Sequence, residues 1–67
     1  MKVVINDKEY MFDEGEMNLL NMLKKLDVNT SGLIAEVDGK VFNNNELENA
    51  VVKDGSNVEL IKIFGGG

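Results

Sequence analysis

Val58-Glu59-Leu60-Ile61-Lys62-Ile63-Phe64, followed at once by Gly65-Gly66-Gly67, is the stretch on which the fold of this chain turns. Its branched and aromatic residues read as a strand. Alternation places Val58, Leu60, Lys62 and Phe64 on one face and Glu59, Ile61 and Ile63 on the other. The strand then runs into bare backbone. Glycine accepts dihedral angles that other residues resist and lets a second backbone approach closely. The carboxylate of Gly67 is therefore a candidate working group, presented on a thin tail. The other reading is a frayed end with no role. Locally, both stand.

Working back along the chain, Asp54-Gly55-Ser56-Asn57 reads as a turn, and the polar run Asn43–Ala50 as a short helical turn capped by Asn44 or Asn45. Asp38-Gly39 separates Leu33–Val37 from Lys40–Phe42, a strong two-residue hairpin signal because the turn requires positive φ. An apolar stripe of Met17, Leu20, Leu23 and Leu26, with Leu19 and Met22 beside it, predicts a helix. Glu14 and Glu16 at its start and Lys24 and Lys25 in its last turn would suit the helix dipole. Asp27 to Gly32 ends it. Lys2–Ile5 and Glu9–Phe12, joined through Asn6-Asp7-Lys8, predict a first hairpin.

The resulting order is β-β-α-β-β-turn-β. One helix needs a sheet to cover its stripe, and about five short strands can supply one. This predicts an α+β domain whose first and last strands lie side by side and parallel, joined by the long crossover that a parallel pair needs. Val3, Ile5, Val58 and Leu60 are expected to face the helix. Val4, Ile61 and Ile63 then lie on the open face as a docking surface, next to the tail.

Composition narrows the chemistry. Sixty-seven residues make one small domain with a thin core. The 43% apolar content is that of a globular chain, and the lack of proline fits a compact one. With no Cys and no His there is no thiolate or imidazole for catalysis or metal ligation. An autonomous enzyme is not expected, nor a cofactor bound by this chain. The net charge of −5 argues against nucleic acid, whose phosphates require cations. It suits a basic protein partner instead. No apolar run is long enough for a membrane span or signal segment, so a cytoplasmic monomer is expected.

Four stretches together carry a resemblance: the opening strand ending Ile5-Asn6-Asp7, the Gly15-led helix with Leu19-Leu20 and Leu26, the Val37-Asp38-Gly39-Lys40-Val41 hairpin, and Val52–Leu60 leading to Gly66-Gly67. In order and spacing the chain resembles the ThiS sulfur carriers of thiamine biosynthesis, within the ubiquitin-like ThiS/MoaD group. The resemblance implies a β-grasp fold: a mixed sheet of about five strands covered on one face by a helix, comprising residues 1–64, with 65–67 as a flexible tail. It also implies that Gly67 is adenylated by a ThiF-like, ubiquitin-activating-like adenylyltransferase using ATP and Mg. A persulfide-bearing donor enzyme would convert it to a thiocarboxylate, and a ThiG-like thiazole synthase would take the sulfur. Gly65 and Gly66 would thread a narrow channel, and Val4, Ile61, Ile63 and Phe64 would dock. The run Asn43-Asn44-Asn45 departs from the family's often basic or proline-bearing segment.

The nearest rival is the small subunit of molybdopterin synthase, which shares the fold and the thiocarboxylate. Its members are usually longer between helix and second hairpin, whereas Asp27 to Gly32 is short here. A carrier for another sulfur pathway or for tRNA thiolation, a conjugated modifier, and a ubiquitin-like binding module that is never activated complete the alternatives.

Overall fold

A computed structural model describes residues 1–62. In chain order they form β1 (Lys2–Ile5), β2 (Lys8–Met11), β3 (Glu16–Asn18), α1 (Leu19–Lys25), β4 (Leu33–Val37), β5 (Lys40–Phe42), a 3₁₀ helix (Asn44–Asn49), β6 (Val51–Lys53) and β7 (Asn57–Lys62). Both hairpins turn on two residues. Asn6 and Asp7 take φ of 48° and 69°, and Asp38 and Gly39 take 49° and 90°. Paired positive angles match the right-handed twist of the flanking strands, and Asn, Asp and Gly tolerate them best. The resulting registers are Ile5↔Lys8 and Val37↔Lys40.

The main sheet has the order β2-β1-β7-β4-β5. β1 and β7 are parallel, with Val4↔Asn57 and Ile5↔Val58, and every other pairing in this sheet is antiparallel. The mixed five-strand α+β arrangement of a β-grasp fold is therefore present, with first and last strands adjacent as expected. Val3, Ile5, Leu19, Met22, Leu23, Leu33, Ala35, Val37, Leu47, Ala50, Val52 and Val58 make one buried cluster between the sheet's inner face and the elements packed on it. Leu60 packs against that cluster while remaining half-buried.

The helix is shorter than the apolar period predicts. Glu16, Met17 and Asn18 form β3, which pairs antiparallel with β6 as a separate ribbon (Met17↔Val52). Three residues can satisfy both a helical stripe and a strand; pairing with β6 decides between them. Asn18 then becomes the N-cap, its side chain accepting a hydrogen bond from the Asn21 N–H at 3.3 Å. Glu14 and Glu16 consequently fall outside the helix, whose first turn carries no acid, while Lys24 and Lys25 occupy its last turn as expected. Glu14 instead accepts a charge-assisted hydrogen bond from Lys25 at 2.5 Å. The buried helical face is Leu19, Met22 and Leu23, with Leu20 and Leu26 half-buried beside it.

The helix ends at Lys25 and the chain turns at Asp27, the first residue of the stretch expected to end it. Asp27 has a φ of 59°. Its N–H donates to the Lys24 carbonyl (3.0 Å) and that of Val28 to the Leu23 carbonyl (2.9 Å). These bonds are the left-handed Schellman ending, which satisfies the helix's last carbonyls. The cap of the 3₁₀ helix is Asn43, one residue before Asn44 and two before Asn45, the caps expected. Glu46 accepts from the Asn43 N–H at 3.0 Å. The Asn44 amide is committed elsewhere, donating to the carbonyls of Thr30 (2.5 Å) and Leu33 (3.1 Å).

Candidate functional site

The expected tail grows from β7, so the site begins with what holds that strand. On one side β4 pairs with it from Val37↔Val58 to Leu33↔Lys62. On the other, Ser56 and Val58 carbonyls accept from the N–H groups of Val4 and Asn6, each at 3.0 Å. Asp38 closes the near end: its carboxylate accepts from the Asn57 N–H and its own N–H donates to the Asn57 carbonyl, both at 2.9 Å. β1 ends at Ile5, yet its ladder is extended by a side chain. Asn6 Oδ1 accepts from the Leu60 N–H at 2.8 Å, standing in for a strand carbonyl. At the far end Lys62 Nζ donates to the Asn29 carbonyl at 2.7 Å. Every second residue of β7 is thus anchored up to Lys62.

The open face of the sheet follows from register. It presents Glu9 and Met11 of β2, Lys2 and Val4 of β1, Glu59 and Ile61 of β7, Ile34 and Glu36 of β4, and Val41 of β5. Met11, Val41 and Ile61 are exposed, Ile61 at 54%, whereas Val4 is half-buried. Val4 and Ile61 share this face, but Val4 stands level with Asn57 and Ile61 level with Ile34. Four residues of strand, about 13 Å, separate the two levels. Ile34 and Val41 belong to the same apolar surface and were not singled out from sequence. The alternation Leu33, Ala35, Val37 held the signal, since it sends Ile34 and Glu36 outward.

Glu36 lies directly opposite Glu59 in the antiparallel ladder. Like charges so placed repel, and a cation from outside would relieve the repulsion. Ile63, Phe64, Gly65, Gly66 and Gly67 lie outside the described residues. Among the described residues no helix is long and apolar enough to cross a membrane.

The profile of the ThiS family matches residues 3–67. Two solved structures of a thiamine biosynthesis protein (ThiS) from Geobacter metallireducens are similar along the whole chain. The crystal structure aligns at 29% identity with a TM-score of 0.84, covering 100% of both chains. The solution structure aligns at 29% identity with a TM-score of 0.72, covering 100% of this chain and 88% of the other. A family match over nearly the full length, on a β-grasp sheet with a central, anchored last strand, places the chain: it belongs to the ThiS family of non-catalytic sulfur carriers.

Proposed function

We propose that this chain carries sulfur for thiazole formation in thiamine biosynthesis, as a thiocarboxylate on Gly67. The observation that supports it most is the anchoring of β7, a central strand held on both sides and leading directly towards residues 63–67. A rigid root suits a tail that must be delivered into another protein's active site. Residues 1–64 form the docking body and Gly65–Gly67 the tail, with Gly65 and Gly66 giving clearance where a side chain would clash.

The chemistry belongs to the partners. The Gly67 carboxylate attacks the α-phosphate of Mg-bound ATP on a ThiF-like enzyme, forming the acyl adenylate and releasing pyrophosphate. The terminal sulfur of a partner persulfide attacks the acyl carbon and AMP leaves. A second partner thiol then cleaves the sulfur–sulfur bond, leaving the thiocarboxylate and a disulfide on the partner. A ThiG-like synthase takes the sulfur onward. With no Cys in the chain, no internal thiol competes for the activated carboxyl. Ordering the tail costs about 1–2 kcal/mol per residue, so the body must dock to offset it. Val4, Ile61, Ile63 and Phe64 are the docking residues, extended by Ile34 and Val41. The opposed carboxylates of Glu36 and Glu59 favour a basic side chain on the enzyme. Cytoplasmic ATP and donor enzymes make the cytoplasm its working compartment.

Intact mass after incubation with ATP, Mg, a ThiF-like enzyme and a persulfide donor tests this directly. The expected gain is one oxygen replaced by sulfur. No gain with enzymes that load another ThiS carrier would refute the proposal, and a branched adduct would identify a conjugated modifier. Deleting Gly67, or the substitution Gly66→Val, should abolish loading without altering the melting temperature.

A further inference from the structure

A half-open cavity of about 400 Å³ lies on the helix side of the sheet, away from the open face. Ile5, Tyr10, Leu26, Val28 and Leu60 line it together with Asn6 and Lys8. Its origin is structural. β1 and β2 end at the Asn6-Asp7 turn while β7 continues to Lys62, and the Schellman ending turns Val28 back beside Leu26.

The register makes Lys8 unusual. Ile5↔Lys8 and Val3↔Tyr10 put Lys8 on the inner side of the sheet at its edge, exposed itself but opposite the buried Ile5. Lys8 makes no ion pair among the described residues. In a chain with twelve acids, none lines this cavity, although Asp7 and Asp27 flank it in sequence. Asn6 has its Oδ1 engaged by the Leu60 N–H, which leaves its Nδ2 to donate. The cavity therefore combines apolar walls with uncommitted donors, one of them cationic. Its volume lies within the range of ligand pockets, but half-open walls cannot enclose a free small molecule. A side chain inserted from a larger body, whose remaining surface closes the opening, fits better.

We propose that this cavity receives an apolar side chain of a partner protein, with an adjacent carboxylate of the same segment held at Lys8. It is a second contact surface, opposite the open face and independent of the chemistry at Gly67. The competing account is that an inward lysine on an edge strand only discourages edge-to-edge aggregation.

Amide NMR shifts of the labelled full chain, titrated with capped pentapeptides, separate the two. The probes carry leucine followed by glutamate, by glutamine or by lysine, and octanoate serves as a free acid. Binding through the cavity moves the amides of Lys8, Leu26, Val28 and Leu60. The glutamate peptide should bind about three- to fivefold tighter than the glutamine peptide, the range of a partly exposed ion pair, and the lysine peptide most weakly. Lys8→Gln should erase this preference and Lys8→Arg should keep it. Equal binding of all three peptides, or shifts elsewhere, would overturn the proposal. So would octanoate binding as tightly as the glutamate peptide, which would make the cavity a small-acid site. A preference that persists in Lys8→Gln would leave Lys8 with its edge role alone.

Discussion

Substituting Asn6 probes the device that holds β7 beyond the end of β1. Asn6 contributes in two ways: its Oδ1 accepts from the Leu60 N–H at 2.8 Å, and its backbone takes a left-handed φ of 48°. Losing the hydrogen bond costs about 0.5–1.5 kcal/mol. Holding alanine in the left-handed region costs about 1–2 kcal/mol more, a penalty that asparagine largely avoids. Asn6→Ala should thus lose about 1.5–3.5 kcal/mol. Against a total of roughly 3–10 kcal/mol for a domain of this length, that is a large fraction. Asn6→Gly removes the hydrogen bond without the backbone strain and should lose about 1 kcal/mol, whereas Asn6→Asp retains an acceptor and should lose least. Urea unfolding gives the global values. Hydrogen exchange gives the local one: in Asn6→Gly the Leu60 amide should exchange about fivefold faster relative to Leu23, the equivalent of about 1 kcal/mol. If Leu60 protection is unchanged in Asn6→Gly, the side chain does not extend the ladder and the reasoning fails. Equal stability of the Ala and Gly variants would refute the backbone part alone.

Leu19 is fully buried at the start of α1, so Leu19→Ala should lose about 2–5 kcal/mol; a circular-dichroism melt within a few degrees of the parent would show that the helix does not pack as described. Ile61→Thr keeps the β-branch on an exposed position, and stability should change by no more than about 0.5 kcal/mol. The same variant should raise the activating enzyme needed for half-maximal loading at least about fivefold, since it exchanges the ethyl arm for a hydroxyl and so gives up more than one methylene of apolar contact; unchanged loading kinetics would remove Ile61 from the docking face. The Lys25 hydrogen bond beside Glu14 holds that carboxyl below the ordinary carboxylate range. A depressed carboxylate stabilises the fold above its unfolded pKa, and the contribution disappears as pH falls through the folded pKa. Glu14→Gln should therefore be less stable than the parent at neutral pH and equal to it in acid, and a gap that persists in acid unfolding curves would contradict the pairing.

Most of the fold was legible because its signals are local. Asn6-Asp7 and Asp38-Gly39 announce their turns through the positive φ angles these residues accept, and the tight turn fixes each register. The parallel pairing of β1 with β7 was accessible because the intervening chain is long enough to cross over. The apolar period of Met17 to Leu26 misled at one end only. Met17 continues the helical stripe by spacing, but Val52, 35 residues away in sequence, pairs with it as a strand. No local pattern reports such a partner. Asp27 shows a milder form of the same limit: the stretch Asp27 to Gly32 was legible as the end of the helix, but the hydrogen bonds to Leu23 and Lys24 decide that the left-handed residue within it is an aspartate.

The site divides in the same way. Sequence by itself determined which side-chain groups the chain can bring to any chemistry: no thiol, no imidazole and an excess of acids are matters of composition, which folding cannot change. It also determined the parity of β7, since alternation is a property of extended backbone. Only the tertiary structure decided what stands beside what. It set Ile34 rather than Val4 level with Ile61, opposed Glu36 to Glu59, lent Asn6's side chain to the Leu60 amide and put Lys8 on the wall of one cavity with Leu26 and Val28. Those relations depend on where one strand stops against another. That is fixed by summed packing and hydrogen bonding across the sheet, not by any run of neighbouring residues.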